Sequence, residues 1–227
     1  CETAGGRLAV DGSTLLVAAG KTGNTSGLGL EAAGIAVTAN GIAVDNHLRT
    51  QNRRVYAIGD VAGGLQFTHA ANYHASLVLR EILFRLPGRE NRGIVPRATF
   101  TDPEIASVGL GEEEARARYG PVQVLRWPYA DNDRARAERE AAGLIKIITG
   151  RRGKILGAGI AGTGAAEMIT MWSGIIANGQ NLSHVRNAII PYPTMAEIGK
   201  RAVIAYYTPL TRTPFVRAII RLLRRFG

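Results

Sequence analysis

The sequence is poor in cysteine: Cys1 is the one thiol in 227 residues. A single cysteine excludes a disulfide framework and any internal dithiol pair, and it suits a reducing compartment. Long apolar runs are missing too. None approaches the roughly 18 residues of a membrane-spanning helix, and no secretory leader is visible. Nor is there a stripe of basic residues interleaved with aromatics, the footprint a nucleic acid would require. That absence matters because the net charge is +10. The arginines gather at Arg89, Arg92 and Arg97, at Arg134, Arg136 and Arg139, and at Arg217, Arg221, Arg224 and Arg225. They read as an arginine-rich surface, so no nucleic-acid partner is expected. The opening CETAGGRLAV has no methionine and starts inside a strand-like segment. The chain is therefore expected to be a piece of a longer polypeptide.

What is present can fill one large core or two modest ones, since 46% of the residues are hydrophobic. Residues 7–20 predict a short strand, an Asp-Gly turn and a second, fully apolar strand, LLVAAG. A turn at Asn40-Gly41 separates two short alternating runs. RVYAIGD (54–60) predicts a buried strand through Val55, Tyr56, Ala57 and Ile58, and residues 68–86 a helix stopped by Pro87-Gly88. The linker PGRENRGIVPR marks a boundary at residues 87–95, which divides 1–90 from 91–227.

Beyond that boundary the pattern changes. RATFTDPEIASVGL predicts two short strands around an Asp-Pro turn. Residues 111–119 predict a helix with Glu112, Glu113 and Glu114 first and Arg116 and Arg118 later, the order that the helix dipole favours. VQVLRWPY, GLIKIIT and GKILGAGIAG predict three more strands. Residues 164–179 predict a helix apolar enough to be buried on most of its sides. Antiparallel strands followed by helices make this part α+β.

The most informative segment is TQNRRVYAIGD (50–60). A buried strand ending in Gly59-Asp60 places a carboxylate at the carboxyl edge of a sheet, where open α/β folds bind cofactors. Gly59 permits close approach of a ligand, and Asp60 can accept hydrogen bonds from sugar hydroxyls. The plain alternative is an aspartate capping a turn.

This segment, with the VAG that follows it and a His-Ala-Ala helix, resembles the second flavin-binding motif of the pyridine nucleotide–disulfide oxidoreductase family. LLVAAGKTGNTSGLGLEAAGI resembles the family's return from the NAD(P)H domain to the FAD domain. FTDPEIASVGL, GLIKIIT, ILGAGIAG and PYPTMAE resemble its C-terminal dimerisation domain. The resemblance implies an α/β remnant of a dinucleotide-binding domain, then an α+β dimerisation domain with an antiparallel sheet. It implies FAD as cofactor, with the NAD(P)H site largely outside this chain, and a cytoplasmic homodimer that includes a missing N-terminal half. Asp60 would hold the ribityl chain and Gly59 would allow its approach. Phe67, Thr68 and His69 would sit at a helix start facing the flavin pyrimidine edge, where positive helix ends favour negative charge. His69 has a second reading, as a polar residue satisfying that helix start. His74 reads as structural, and His47 and His184 as loop residues without a chemical role. No metal is assigned. The chain lacks both GxGxxG and a redox cysteine pair, so alone it is expected to be inactive. Gly20-Lys21-Thr22-Gly23-Asn24 departs from the family's Gly-Arg-x-Pro-Asn.

PYPTMAE (191–197) departs further. The family's disulfide-reducing members carry His-Pro-Thr-x-x-Glu there; this chain keeps Pro193, Thr194 and Glu197 but has Tyr192 in place of the histidine. A phenol, with an ordinary pKa of about 10 against about 6.5 for imidazole, is a poor base near neutrality. Tyr192 and Glu197 remain the candidate catalytic pair, in a site similar to mercuric-reductase-like members, where Phe-Pro-Tyr precedes the Thr and Glu. Those members end in a vicinal cysteine pair, whereas this chain ends LLRRFG. The alternative is an aromatic plug at Tyr192, with Glu197 capping a helix. Two competing functions stand beside the reductase: a non-catalytic dimerisation module, and a membrane-associated flavin electron-transfer reductase without thiol chemistry. Residues 213–227 predict a basic amphipathic helix. It would pack on its own domain or a dimer partner, or else lie against an anionic membrane surface as a peripheral contact.

Overall fold

Glycines interrupt the first ninety residues often, and among the described residues only two-residue strands form there. β1 (Glu2–Thr3) pairs antiparallel with β2 (Gly6–Arg7), and β3 (Val37–Thr38) with β4 (Gly41–Ile42). The computed structural model describes residues 2, 3 and 5–226, and the chain divides into two units, Cys1–Glu90 and Asn91–Gly227.

Three expectations for the first unit are corrected. LLVAAG is not a strand: Leu15, Leu16 and Val17 are 85%, 86% and 77% exposed. Among the described residues no strand lies beside it, and extended backbone without a ladder partner gains nothing from its apolar side chains. The turn between β3 and β4 is Ala39-Asn40, one residue earlier than expected, because Thr38 pairs with Gly41. RVYAIGD is likewise no strand; a single antiparallel bridge, Arg49 to Tyr56, is all it makes. Ala57 is buried with Ile35, Ile42 and Ala62, while Ile58 is exposed. Helix α1 (Thr68–Phe84) ends two residues before the expected stop, because Arg85 turns left-handed at φ 56°. It buries Ala70, His74, Leu77 and Val78.

The second unit has longer strands, of three to seven residues. β5 (Arg97–Thr99) pairs with β6 (Ile105–Gly109), then helix α2 (Glu112–Tyr119) leads to β7 (Gln123–Pro128). A short α3 (Asp133–Glu138) precedes β8 (Leu144–Thr149) and β9 (Ile155–Ala161). The five strands form one antiparallel sheet in the order β5-β6-β9-β8-β7. Gly109 and Gly157 face each other across β6 and β9. Gly109 has φ 79°, and a Cβ on Gly157 would run into the Leu110 carbonyl. Two glycines there let the Leu110 N–H reach the Leu156 carbonyl at 2.9 Å.

Helices α4 (Ala165–Ala177), α5 (Leu182–Asn187), α6 (Glu197–Thr211) and α7 (Pro214–Leu223) complete the unit. α4 lies on β6 and β9, and α6 on β7 and β8. α4 buries Ala165, Ile169, Trp172 and Ile175 as one stripe at helical spacing, with Glu167, Thr170 and Gly174 exposed opposite. The expected burial on most sides is therefore corrected to burial on one face. An apolar composition does not supply a second covering layer; the sheet covers one stripe. His184 is not a loop residue either. It is the third residue of α5, in a reciprocal cap with Asn181.

Candidate functional site

In the first unit the candidate residues gather around one tight turn. Gly59 takes a left-handed φ of 68°, and a Cβ there would sit 3.0 Å from the Ala71 Cβ. Asp60 follows in a 3-10 turn, Gly59–Ala62. Its carboxylate is half-buried, and among the described residues none hydrogen-bonds to it. From the other side the backbone of Gly23 closes on Asp60; a Cβ there would meet the Asp60 carbonyl oxygen at 2.8 Å.

Helix α1 begins beside this turn. Its cap residue Phe67 is extended and offers no side-chain acceptor to the first-turn amides, so the positive helix end remains available to a ligand. Thr68 and His69 are exposed, and the His69 ring stacks on Phe67 with centroids 5.1 Å apart. A polar hollow of about 310 Å³ adjoins the turn, lined among others by Lys21, Thr22, Gly23, Asn40, Gly64 and Gln66. Lys21 Nζ donates to the Gln66 carbonyl at 2.9 Å. The sequence motif flagged Lys21 as a departure, but nothing in the motif tied it to the residues before α1.

Behind the turn lies His74, 2% exposed. The Gly59 amide donates to its Nδ1 at 3.1 Å, so the ring proton sits on Nε2 and is donated to Glu90 Oε1 at 3.0 Å. The structural role expected for His74 thus takes a specific form: it ties the residue before Asp60 to the end of the unit. His47 Nδ1 donates to the Gly88 carbonyl at 2.8 Å.

In the second unit the PYPTMAE loop carries a cis Tyr192-Pro193 bond. Thr194 Oγ1 donates to the Pro191 carbonyl at 2.8 Å, and Asn132 Nδ2 to the Thr194 carbonyl at 3.0 Å. Asn132 is buried and also caps α3 by accepting from the Ala135 amide at 2.9 Å. The first residue of α3, Asp133, accepts from the Tyr192 hydroxyl at 3.1 Å. Sequence reading missed Asp133, which lies 59 residues from the tyrosine and belongs to no motif. Glu197 opens α6 and faces Arg201 at 3.9 Å rather than the tyrosine. The candidate pair is thus not hydrogen-bonded to itself.

The hydrogen bond to Asp133, reinforced by the charges of Asp133 and Glu197, pushes the Tyr192 phenol above its ordinary value of 10.0. Tyr192 is therefore a donor at neutral pH and not a base. A raised folded value means that its stabilising contribution is complete below about pH 10 and is lost as pH climbs above it. Ultraviolet titration of the phenol should find Tyr192 still protonated when free tyrosine has ionised, with Asp133→Asn bringing it back toward 10. A normal titration in the parent chain would refute this donor assignment. A groove of about 300 Å³ lies on the same unit, lined by Ile145, Ile160, Met168, Met171, Trp172 and Ile198 among others.

Comparison with known proteins matches both units. Residues 2–75 match the pyridine nucleotide-disulphide oxidoreductase family, and residues 95–203 match that family's dimerisation domain. Mercuric reductase of Bacillus cereus is 34% identical over 207 residues, 90% of this chain and 33% of the relative. A dihydrolipoyl dehydrogenase of Bacillus subtilis (strain 168) is 34% identical over 212 residues, 92% of this chain and 45% of the relative. Among solved structures, LpdA of Mycobacterium tuberculosis superimposes with TM-score 0.83 at 28% identity, covering 89% of this chain and 44% of that one. The HOCl-induced flavoprotein disulfide reductase RclA of Escherichia coli gives 0.73 at 32% identity, covering 82% and 44%. The chain spans between a third and just under half the length of these relatives. With both units matched in order, the chain belongs to the pyridine nucleotide–disulphide oxidoreductase family.

Proposed function

We propose that this chain supplies part of the flavin site and the subunit interface of an FAD-dependent NAD(P)H oxidoreductase that works as a homodimer. The observation that carries the reading is Asp60, a half-buried carboxylate set by a left-handed glycine beside the uncapped start of α1. These residues suit FAD. Asp60 would accept from ribityl hydroxyls, and the amides of Phe67, Thr68 and His69 would face the pyrimidine edge. When bound, FAD would take hydride from NAD(P)H and pass the electrons to an acceptor. This chain's own part is to bind, orient and polarise. Tyr192 would present its neutral phenol oxygen at the acceptor side, with its O–H held by Asp133 and Glu197 setting the start of α6. A neutral phenol in place of an imidazole disfavours general-base thiol chemistry and agrees with a mercuric-reductase-like acceptor site.

The test is Asp60→Ala in the full-length protein. Losing a charged hydrogen-bond acceptor costs about 1.5–3 kcal/mol, so FAD should bind roughly 10- to 150-fold more weakly, with the dimer mass by light scattering unchanged. A change under about threefold in flavin affinity overturns the assignment of Asp60. A full-length protein purified with no affinity for FAD would instead favour a non-catalytic dimerisation module. A second reading, favoured by the exposed basic helix α7, places the same flavin chemistry at a membrane with an acceptor other than a thiol. Among the described residues no helix is long and apolar enough to cross one.

A further inference from the structure

Helix α7 lies beyond the stretch matched to the dimerisation domain, which ends at residue 203. It is well formed: Thr213 Oγ1 accepts from the Val216 amide and Pro214 occupies the first turn. Yet it buries nothing. Phe215 is 74% exposed, Leu222 54% and Leu223 60%, with Ile219 and Ile220 also exposed.

Helical geometry, at about 100° per residue, gathers these side chains and Val216 into an arc of roughly 160°. Arg217, Arg221 and Arg224 fall together on the opposite side. Charge follows the same division along the chain. Residues 198–227 hold seven lysines and arginines and no acidic residue, so seven of the ten net positive charges lie in the last thirty positions. A purely apolar dock would leave the arginine face without a counterpart. Two copies of α7 packed through their apolar arcs would likewise leave both arginine faces without a counterpart. A bilayer surface with anionic headgroups satisfies both faces at once: acyl chains take the apolar arc and phosphates take the guanidinium groups.

We propose that α7 is an amphipathic membrane-docking helix that lies in the headgroup layer of anionic bilayers. It rests on the second reading above only for its purpose. Its test involves no turnover, so failure of the flavin assignment and failure of this one are separable. The full-length protein is sedimented with vesicles of phosphatidylcholine alone and of three parts phosphatidylcholine to one part phosphatidylglycerol. Binding is expected to the mixed vesicles and to fall steeply with added salt. Each arginine near an anionic surface contributes about fivefold. Arg221→Gln with Arg224→Gln should therefore weaken binding about 25-fold, without touching the fold of an exposed helix. Ile219→Ser with Leu223→Ser should also abolish co-sedimentation. Equal sedimentation of parent and arginine variant overturns the proposal. So does a shift from dimer to monomer in the serine variant with no vesicle binding by the parent, which would mean that a second copy covers the apolar face.

Discussion

Replacing His74 with leucine is expected to destabilise the first unit by about 3–5 kcal/mol. The imidazole is 2% exposed, and each of its nitrogens serves a different partner. Leucine has a similar volume but no polar atoms. The buried Gly59 N–H would lose its acceptor, and the Glu90 carboxylate, 8% exposed, would lose this donor. Losing the acceptor costs about 1–3 kcal/mol, and a hydrogen bond to a charged group contributes about 1.5–3 kcal/mol. Asparagine distinguishes the two contacts. Its amide oxygen can stand where Nδ1 stands, so His74→Asn should recover the Gly59 bond alone and about half of the loss. Denaturant unfolding of the 227-residue chain measures both, with exchange of the Gly59 amide as the local reporter. A leucine variant within about 1 kcal/mol of the parent would show that His74 only fills space. Because Gly59 sets the backbone before Asp60, the same variant should loosen the proposed flavin edge.

Trp172→Ala should cost the second unit a similar amount, about 3–5 kcal/mol. Trp172 is 1% exposed at the centre of the larger core, against Ile145 and the backbone of Gly199. A Cβ at Gly199 would meet the indole at 2.6 Å, so α6 lies on the ring with no space between them. Cavities of that size do not close by relaxation, since the sheet beneath is hydrogen-bonded on both sides. Phenylalanine should cost less than alanine, since it retains much of the ring. Trp127 remains as the fluorescent reporter. A loss below about 1.5 kcal/mol would mean that α6 closes over the gap. A loss of the expected size should also loosen the start of α6 at Glu197 and Ile198, and with it the loop that holds Tyr192.

Much of the second unit was legible from residue order. The runs predicted as strands at 123–128, 144–149 and 155–161 became neighbouring strands, and Glu112 to Arg118 became α2. Their patterns are strong because β7 pairs with β8 and β8 with β9, successive strands in the chain, so local preference and tertiary pairing agree. LLVAAG and RVYAIGD carry equally apolar patterns, but a strand exists only where another strand accepts its hydrogen bonds. Periodicity reports which side chains share a face. It does not report whether anything lies against that face, which is why α4 was read as buried on most sides and is buried on one.

For the candidate sites, residue order supplied the chemistry and left the partners open. A tyrosine preceding Pro-Thr-x-x-Glu, and a Gly-Asp after an apolar run, are visible as letters. That Asp133 accepts the Tyr192 hydrogen bond, that Glu197 turns to Arg201, and that His74 holds Gly59 are not. Each of those last two pairs shares a helix turn or is brought together by α1, whereas the Asp133 contact joins residues 59 apart. The sequence by itself determined an antiparallel α+β second unit, a glycine directly before Asp60, and a phenol at position 192. Only the tertiary structure decided which carboxylate faces that phenol and which helix surface stays uncovered. Local chemistry is written residue by residue, but a contact between distant residues depends on how every intervening element packs.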